Sequence, residues 1–200
     1  MNSKLASAKE HYSKVRAIVK ELSDLAMKNN SRFKFHIAMK QFDYILQISL
    51  IHAAITDGDF KAVELEFIKD ITEYGSVVGL FNVKMEKIAP ELPELTWENI
   101  IPIRSALSDA GKTAFLEQMT AFVDEIAKDF VKWFAPIDAE NKKVNYLSRI
   151  NTIFDEIIAI FATCDGENDI ENINQENTDA KKIKKSVLIS KWKKAVGETA

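Results

Sequence analysis

The sequence holds a single cysteine, Cys164, in 200 residues. No internal disulfide can form, and no cysteine-rich zinc cluster. Such a chain suits a reducing compartment. Backbone breakers are scarce too, with 6 glycines and 4 prolines. Sandwiches and barrels need turn residues at short intervals, so long helices are the expected element. No apolar run has the length of a membrane span. The most apolar stretch, residues 44–55, is short and carries Gln47, Ser49 and His52. The first residues lack the apolar core of a secretory signal. The expected location is therefore the cytoplasm. The formal net charge of −3 offers no basic footprint, so nucleic acid is not an expected partner. Glycine-rich phosphate loops and serine-nucleophile motifs are also missing, and the chain is expected to be non-enzymatic.

What is present reads as helix. Leu5, Ala8, Tyr12, Val15, Val19, Leu22 and Leu25 recur every three or four residues, which predicts a helix over 3–27. A second helix is predicted over 32–56, apolar on most sides and so central. A third is predicted over 61–74, closed by Gly75 at its C-terminus. A short helix follows over 77–88, then a loop at Pro90 and Pro93. Thr96 is a candidate N-cap, and Pro102 bends or restarts the chain. A strong helix is predicted over 112–134, stopped by Pro136. Asp138 is expected to cap a helix over 139–163. A last amphipathic helix is expected over 179–196. No segment alternates with period two between turn signals. The fold class is therefore all-α, a bundle of about seven or eight helices. The bundle is expected over residues 1–178, with 179–200 as a basic amphipathic C-terminal helix.

One motif carries more information. The second helix ends in Ala54-Ile55-Thr56-Asp57-Gly58-Asp59, and the next carries Glu64. Gly58 permits a left-handed backbone at the turn, and acidic groups are favoured at the start of the following helix. A related pattern returns at Phe161-Ala162-Thr163-Cys164-Asp165-Gly166-Glu167. Aligning the two turns sets Ile45 on Ile153, Leu46 on Phe154, Leu50 on Ile158 and Ala54 on Ala162. Two half-repeats, about 32–75 and 139–178, related by a pseudo-twofold axis, would produce this pattern. Chance similarity between two amphipathic helices is the rival account.

The stretch from Ala54 to Asp59, with Glu64 and Phe67-Ile68, resembles the signature of the tellurite-resistance TerB-like family. That resemblance implies an all-helical bundle with internal pseudo-twofold symmetry and an acidic, metal-binding or otherwise charged surface, acting in stress-response or envelope-associated assemblies. The positions it carries over are Asp57, Gly58, Asp59 and Glu64, with Asp165, Gly166 and Glu167 in the second half. The match departs at Thr56 and Cys164, where the family has alanine, and at Asn172, which stands where Glu64 stands in the first copy. It covers about fifteen residues.

Oxygen ligands suit hard cations, so Asp57, Asp59, Glu64, Asp165 and Glu167 are the candidate ligands for Ca2+, Mg2+ or Mn2+. The competing account is helix capping around solvated turns. An EF-hand reading of the loop from Asp165 fails at its sixth position, Ile170, where glycine is needed. His11, His36 and His52 form no metal-binding pair; His52, just over one turn before Asp57, could reach the same turn but reads as a core-edge residue. Cys164, beside Asp165, lacks the electropositive surroundings of a nucleophile and reads as a packing residue. Residues 165–179 carry only acidic charges, and 181–194 only basic ones. Lys181, Lys184, Lys185, Lys191 and Trp192 are therefore candidate contacts for a protein partner or an anionic membrane surface. The alternative is that this helix docks on the bundle. The leading functional expectation is a non-enzymatic module binding a cation or protein partner through its acidic turns. The second is an interaction protein using its Lys-rich helix, and the third a metal-dependent hydrolase.

Overall fold

The computed structural model describes residues 2–28, 34–56, 60–88, 94–164 and 187–197. The fold is all-helical. Among the described residues eight helices follow in order: α1 (Asn2–Lys28), α2 (Phe35–Thr56), α3 (Ala62–Asp70), α4 (Val77–Ile88), α5 (Ile100–Ala106), α6 (Asp109–Glu140), α7 (Tyr146–Phe161) and α8 (Val187–Ala195).

Of the stripe read in α1, Ala8, Tyr12, Val15, Val19 and Leu22 are buried, and Leu5 and Leu25 are half-buried against the same core. The helix lies along α7 in antiparallel fashion. Lys4 Nζ reaches Thr163 Oγ1 at 2.9 Å, His11 meets Glu156 at 3.3 Å, and the Tyr146 hydroxyl donates to Glu21 at 2.6 Å. α2 is the central helix, with every residue from Ile45 to Ile51 buried. It packs on α6, and α6 in turn packs on α8. Phe42 stands at the crossing, with the rings of Phe130, Phe154 and Trp192 between 6.3 and 6.5 Å from it.

Among the helix boundaries that differ from the sequence expectation, three are set by tertiary contacts. α3 stops at Asp70, and residues 71–76 form an irregular turn. α6 runs through Pro136 to Glu140. Proline removes one backbone hydrogen bond and crowds the preceding turn, so a helix ordinarily ends there. Here the Pro136 ring is exposed, while Phe134 and Ile137 on either side are buried and hold the next turn to the core. The end is fixed by Asn141, whose backbone N–H donates to the carbonyls of Ile137 and Asp138 and whose side chain donates to Ile137 at 2.8 Å. α7 then starts at Tyr146, later than expected, after a left-handed Asn145 with φ 51°. Asp138 is therefore not its N-cap: it lies inside α6, Asn145 takes the N-cap position, and the Asp138 Oδ1 accepts the Tyr146 backbone N–H across the turn.

The second Asp-Gly-acid turn and most of the second half-repeat beyond α7 lie outside the described residues. α8 is docked rather than projecting. Ile189 and Trp192 belong to one core with residues of α1, α2, α6 and α7. Lys193 pairs with Asp155 of α7 at 2.8 Å.

Candidate functional site

Among the acidic candidates, the structure describes Glu64; Asp57, Asp59, Asp165 and Glu167 lie outside the described residues. Glu64 is buried. Its Oε2 accepts the backbone N–H of Lys61 at 2.8 Å, the reciprocal half of a capping box at the start of α3. The side chain therefore folds back on the start of α3, where one of its oxygens is engaged by the helix terminus. Phe60, Phe67 and Ile68 are buried around it and anchor α3 to the core. One turn before the end of α2, His52 is half-buried, and that burial lowers its pKa and favours the neutral imidazole. Among the described residues, no three His, Cys, Asp or Glu side chains converge as a metal-holding group. Cys164 is buried, in line with a packing role.

Of the basic candidates, Lys181, Lys184 and Lys185 lie outside the described residues. Lys191 is half-exposed and lines a shallow groove with Thr113, Leu116, Glu117 and Thr120 of α6. Asp124 faces the same helix: its carboxyl is lowered first by Lys128, to which it is hydrogen-bonded, and further by the charges of Lys191 and Lys194. Trp192 corrects the expectation of a partner-binding tryptophan. It is fully buried, with ring centroids of Phe130 at 5.7 Å and Phe154 at 5.6 Å. An indole at helical spacing from Ile189 serves the core, and its apolar area outweighs its one polar atom.

The most connected polar cluster was not marked in the sequence. Asp43 and Gln47 sit one turn apart on α2, both buried. Asp43 Oδ1 accepts the Tyr12 hydroxyl at 2.7 Å, and Oδ2 accepts the backbone N–H groups of Tyr74 at 2.6 Å and Gly75 at 2.9 Å. Gln47 Oε1 accepts the Val77 N–H at 2.8 Å, while its amide donates to Thr72 Oγ1 and to the Gly75 carbonyl. The backbone N–H groups of Tyr74, Gly75 and Val77 thus take their hydrogen bonds from α2, and that of Glu73 from Tyr12 of α1, in place of a continued helix, which is why α3 ends early. Burial pushes the Asp43 carboxyl up to about 6, outweighing the hydrogen bonds from Tyr12, Tyr74 and Gly75 that favour its charged form. Burial, and then the charge and hydrogen bond of Asp43, hold the Tyr12 phenol above its ordinary range. This cluster is closed to solvent and fixes the α3–α4 turn. A wider groove of about 430 Å³ opens between the end of α6, the α6–α7 turn and the end of α8, with Val131, Ala135, Leu147 and Val196 as its apolar walls and Asp138 and Lys142 at its edge.

The sequence matches no family model, no curated protein and no solved structure.

Proposed function

We propose that this chain is a non-catalytic helical binding module, similar in kind to the TerB-like family, that engages a divalent cation or a protein partner at the acidic turn between α2 and α3. The reading assigns Asp57 and Asp59 as the turn's own ligands and Glu64 as the group that adjoins them from α3. It would act as a component of a stress-response assembly. The observation that supports it is the orientation of Glu64. Its carboxylate is folded back onto Lys61, two residues beyond Asp59, and is buried rather than solvated. A carboxylate held close in sequence to two further carboxylates supplies the oxygen ligands that suit a hard cation. The residues that flank the turn in sequence, Ala53, Ala54 and Phe60, are buried.

The test is a thermal melt with calcium, magnesium and manganese titrated against chelator, on the wild type and on Asp57→Asn and Asp59→Asn. A ligand that binds only the folded state raises the melting temperature with concentration. The proposal expects such a rise with one of the three ions, lost in either variant. No rise at millimolar ion removes the cation from the reading and reduces Asp57 and Glu64 to helix-terminal groups.

A further inference from the structure

Asp43 is a buried acid that the fold does not pair with a cation. Its side chain is closed to solvent, and among the described residues no lysine, arginine or histidine forms an ion pair with it. Its partners are neutral donors: the Tyr12 hydroxyl on Oδ1, and the N–H groups of Tyr74 and Gly75 on Oδ2. A buried carboxylate held by neutral donors bears a desolvation cost that no opposite charge offsets.

The titratable and charged groups around it are engaged elsewhere. On α1 these are Tyr12 and Arg16, and Arg16 pairs with Glu73 at 3.0 Å and lies over the Tyr74 ring. On α2 itself, Lys40 lies over the Tyr44 ring. The turn after α3 contributes Glu73 and Tyr74. α4 begins with the buried Val77 and Val78, and α6, α7 and α8 bring the rings of Phe130, Phe154 and Trp192 to the neighbouring Phe42.

The cover over Asp43 is thin. Residues 72–76 are not helical, and none of them is fully buried. They are held down by the bonds of Tyr74 and Gly75 to Asp43, of Thr72 and the Gly75 carbonyl to Gln47, and of the Glu73 N–H to Tyr12. Ile71 and Val77, buried at the two ends, fix the segment to the core. Lifting 72–76 alone exposes little apolar area, and openings of that kind cost less than unfolding the whole chain.

We propose that residues 72–76 form a proton-controlled latch over α2, shut when Asp43 is neutral and able to lift between Ile71 and Val77 when Asp43 is ionised, so that water reaches the carboxylate. A proton on Oδ1 leaves Oδ2 to accept both backbone N–H groups, so the shut form loses neither. The sign follows from burial, which is the largest influence on Asp43 and raises its carboxyl from 3.8 to about 6. Lifting returns the group to water and to its ordinary value. Opening therefore becomes easier as the pH rises from 3.8 to about 6, by on the order of 100-fold in all, and levels off above that window. Acid tightens the latch. The segment follows α3, whereas the acidic turn precedes it, and the inference does not rest on the function proposed for that turn.

The experiment is amide hydrogen exchange of the full chain, read by NMR from about pH 4 to about pH 7 on the wild type and on Asp43→Asn, with each rate divided by the intrinsic rate at that pH. Asparagine is neutral and keeps an acceptor oxygen for Tyr74 and Gly75. The expected result is protection at Tyr74 and Gly75 that falls on the order of 100-fold as the wild type is taken up through this range, and that stays level in the variant. Low urea separates lifting from unfolding. Exchange through the latch is insensitive to it, whereas exchange at Ile150 and Phe154, in the core of α7, rises with it. Level protection in the wild type, or an equal fall in Asp43→Asn, overturns the inference. So does a fall that shares the urea dependence of the α7 amides, because the whole chain then opens and no separate latch exists. The wild-type pH and urea series decides the matter alone if Asp43→Asn does not fold.

Discussion

The Tyr12 hydroxyl donates to Oδ1 of Asp43 at 2.7 Å, and both side chains are sealed from solvent. The same phenol oxygen accepts the Glu73 backbone N–H at 3.3 Å. Three segments distant in sequence, α1, α2 and the α3–α4 turn, thus meet at two atoms. Removing the carboxylate leaves the phenol and the N–H groups of Tyr74 and Gly75 without their acceptor. Each buried orphan costs about 1–3 kcal/mol. Asp43→Ala should therefore lower unfolding stability by several kcal/mol, whereas Tyr12→Phe, which removes one donor and keeps the ring, should cost about 1–2 kcal/mol. Chemical denaturation of both variants checks the ranking, and a Tyr12→Phe cost equal to that of Asp43→Ala would contradict it.

The same residue sets a pH dependence. Asp43 has an ordinary carboxyl value of 3.8 in a free chain and about 6 in the fold, with burial as the largest cause. A raised folded value means that the native state holds this proton more tightly than the unfolded chain. The stabilisation is thus fully present below about pH 3.8, shrinks as the pH rises, and is lost above about 6. The gap is on the order of 3 kcal/mol. Relative to Asp43→Asn, the wild type should gain stability as the pH falls from 7 to 4. Urea midpoints for both proteins at matched pH measure this, and a difference that stays flat over the window would refute it.

Gly75 sits against α2 so closely that a Cβ would meet the Lys40 carbonyl at 3.1 Å and the Asp43 Cβ and Tyr44 ring at 3.2 Å. Neither the helix backbone nor the engaged Asp43 can move aside cheaply. Gly75→Ala should destabilise by about 1–3 kcal/mol, the usual cost of overpacking. Gly79, inside α4, faces open space. There the same substitution should be neutral or stabilise by about 0.5–1 kcal/mol, the helix preference of alanine over glycine. Thermal melts of the two variants should shift in opposite directions. A loss at Gly79 matching that at Gly75 would mean that the close approach is not what constrains the turn.

Much of the helical frame was legible because amphipathic spacing depends on local period alone. Leu5 to Leu25 marked α1, and the nearly unbroken apolar run from Ile45 to Ile51 marked α2 as central. The misplaced boundaries depend on contacts between distant residues. Gly75 looked like a helix stop, yet α3 ends at Asp70 because Asp43 and Gln47 capture the backbone after it. Those two polar residues are four apart in an apolar helix, a spacing that puts them on one face and hints at a shared buried partner. Which backbone they would hold was not written locally. Pro136 misled for the opposite reason: a strong local signal was overridden by the burial of Phe134 and Ile137. Glu64 was legible as a carboxylate one turn into α3, but its bond to the Lys61 N–H was not read from the sequence. Trp192 could be placed on the apolar stripe of α8, but whether that stripe met the bundle or a partner was a tertiary fact.

Pro136 offers a direct check on that override. It lacks the N–H that would bond to the carbonyl of Lys132, within a helix that continues to Glu140. Its ring is exposed, so replacing it removes no core contact. Pro136→Ala should restore a backbone bond and stabilise by about 1–3 kcal/mol, below or near the full interior cost of proline. Part of the gain is offset because proline also restricts the unfolded chain. A rise in melting temperature checks this. A fall would show that α6 requires a bend at this position in order to bring Asp138 to Tyr146.

The docking of α8 is carried by Trp192. Its ring lies 6.3 Å from Phe42, 5.7 Å from Phe130 and 5.6 Å from Phe154, so one side chain ties α8 to α2, α6 and α7. Its indole N–H is buried with no hydrogen-bond partner among the described residues, so the attachment is apolar. The Lys193–Asp155 pair beside it is partly exposed and adds at most about 1 kcal/mol. Trp192→Ala should thus cost about 3–5 kcal/mol, while Lys193→Ala costs less than about 1 kcal/mol. Limited proteolysis separates local release from global loss. If α8 holds only itself in place, Trp192→Ala should expose cleavage sites around 187–197 while the rest of the chain resists. If the indole is integral to the central core, the melting temperature of the whole protein should fall with it, and the position of Phe42 at the centre of the aromatic cluster makes this second outcome the expected one.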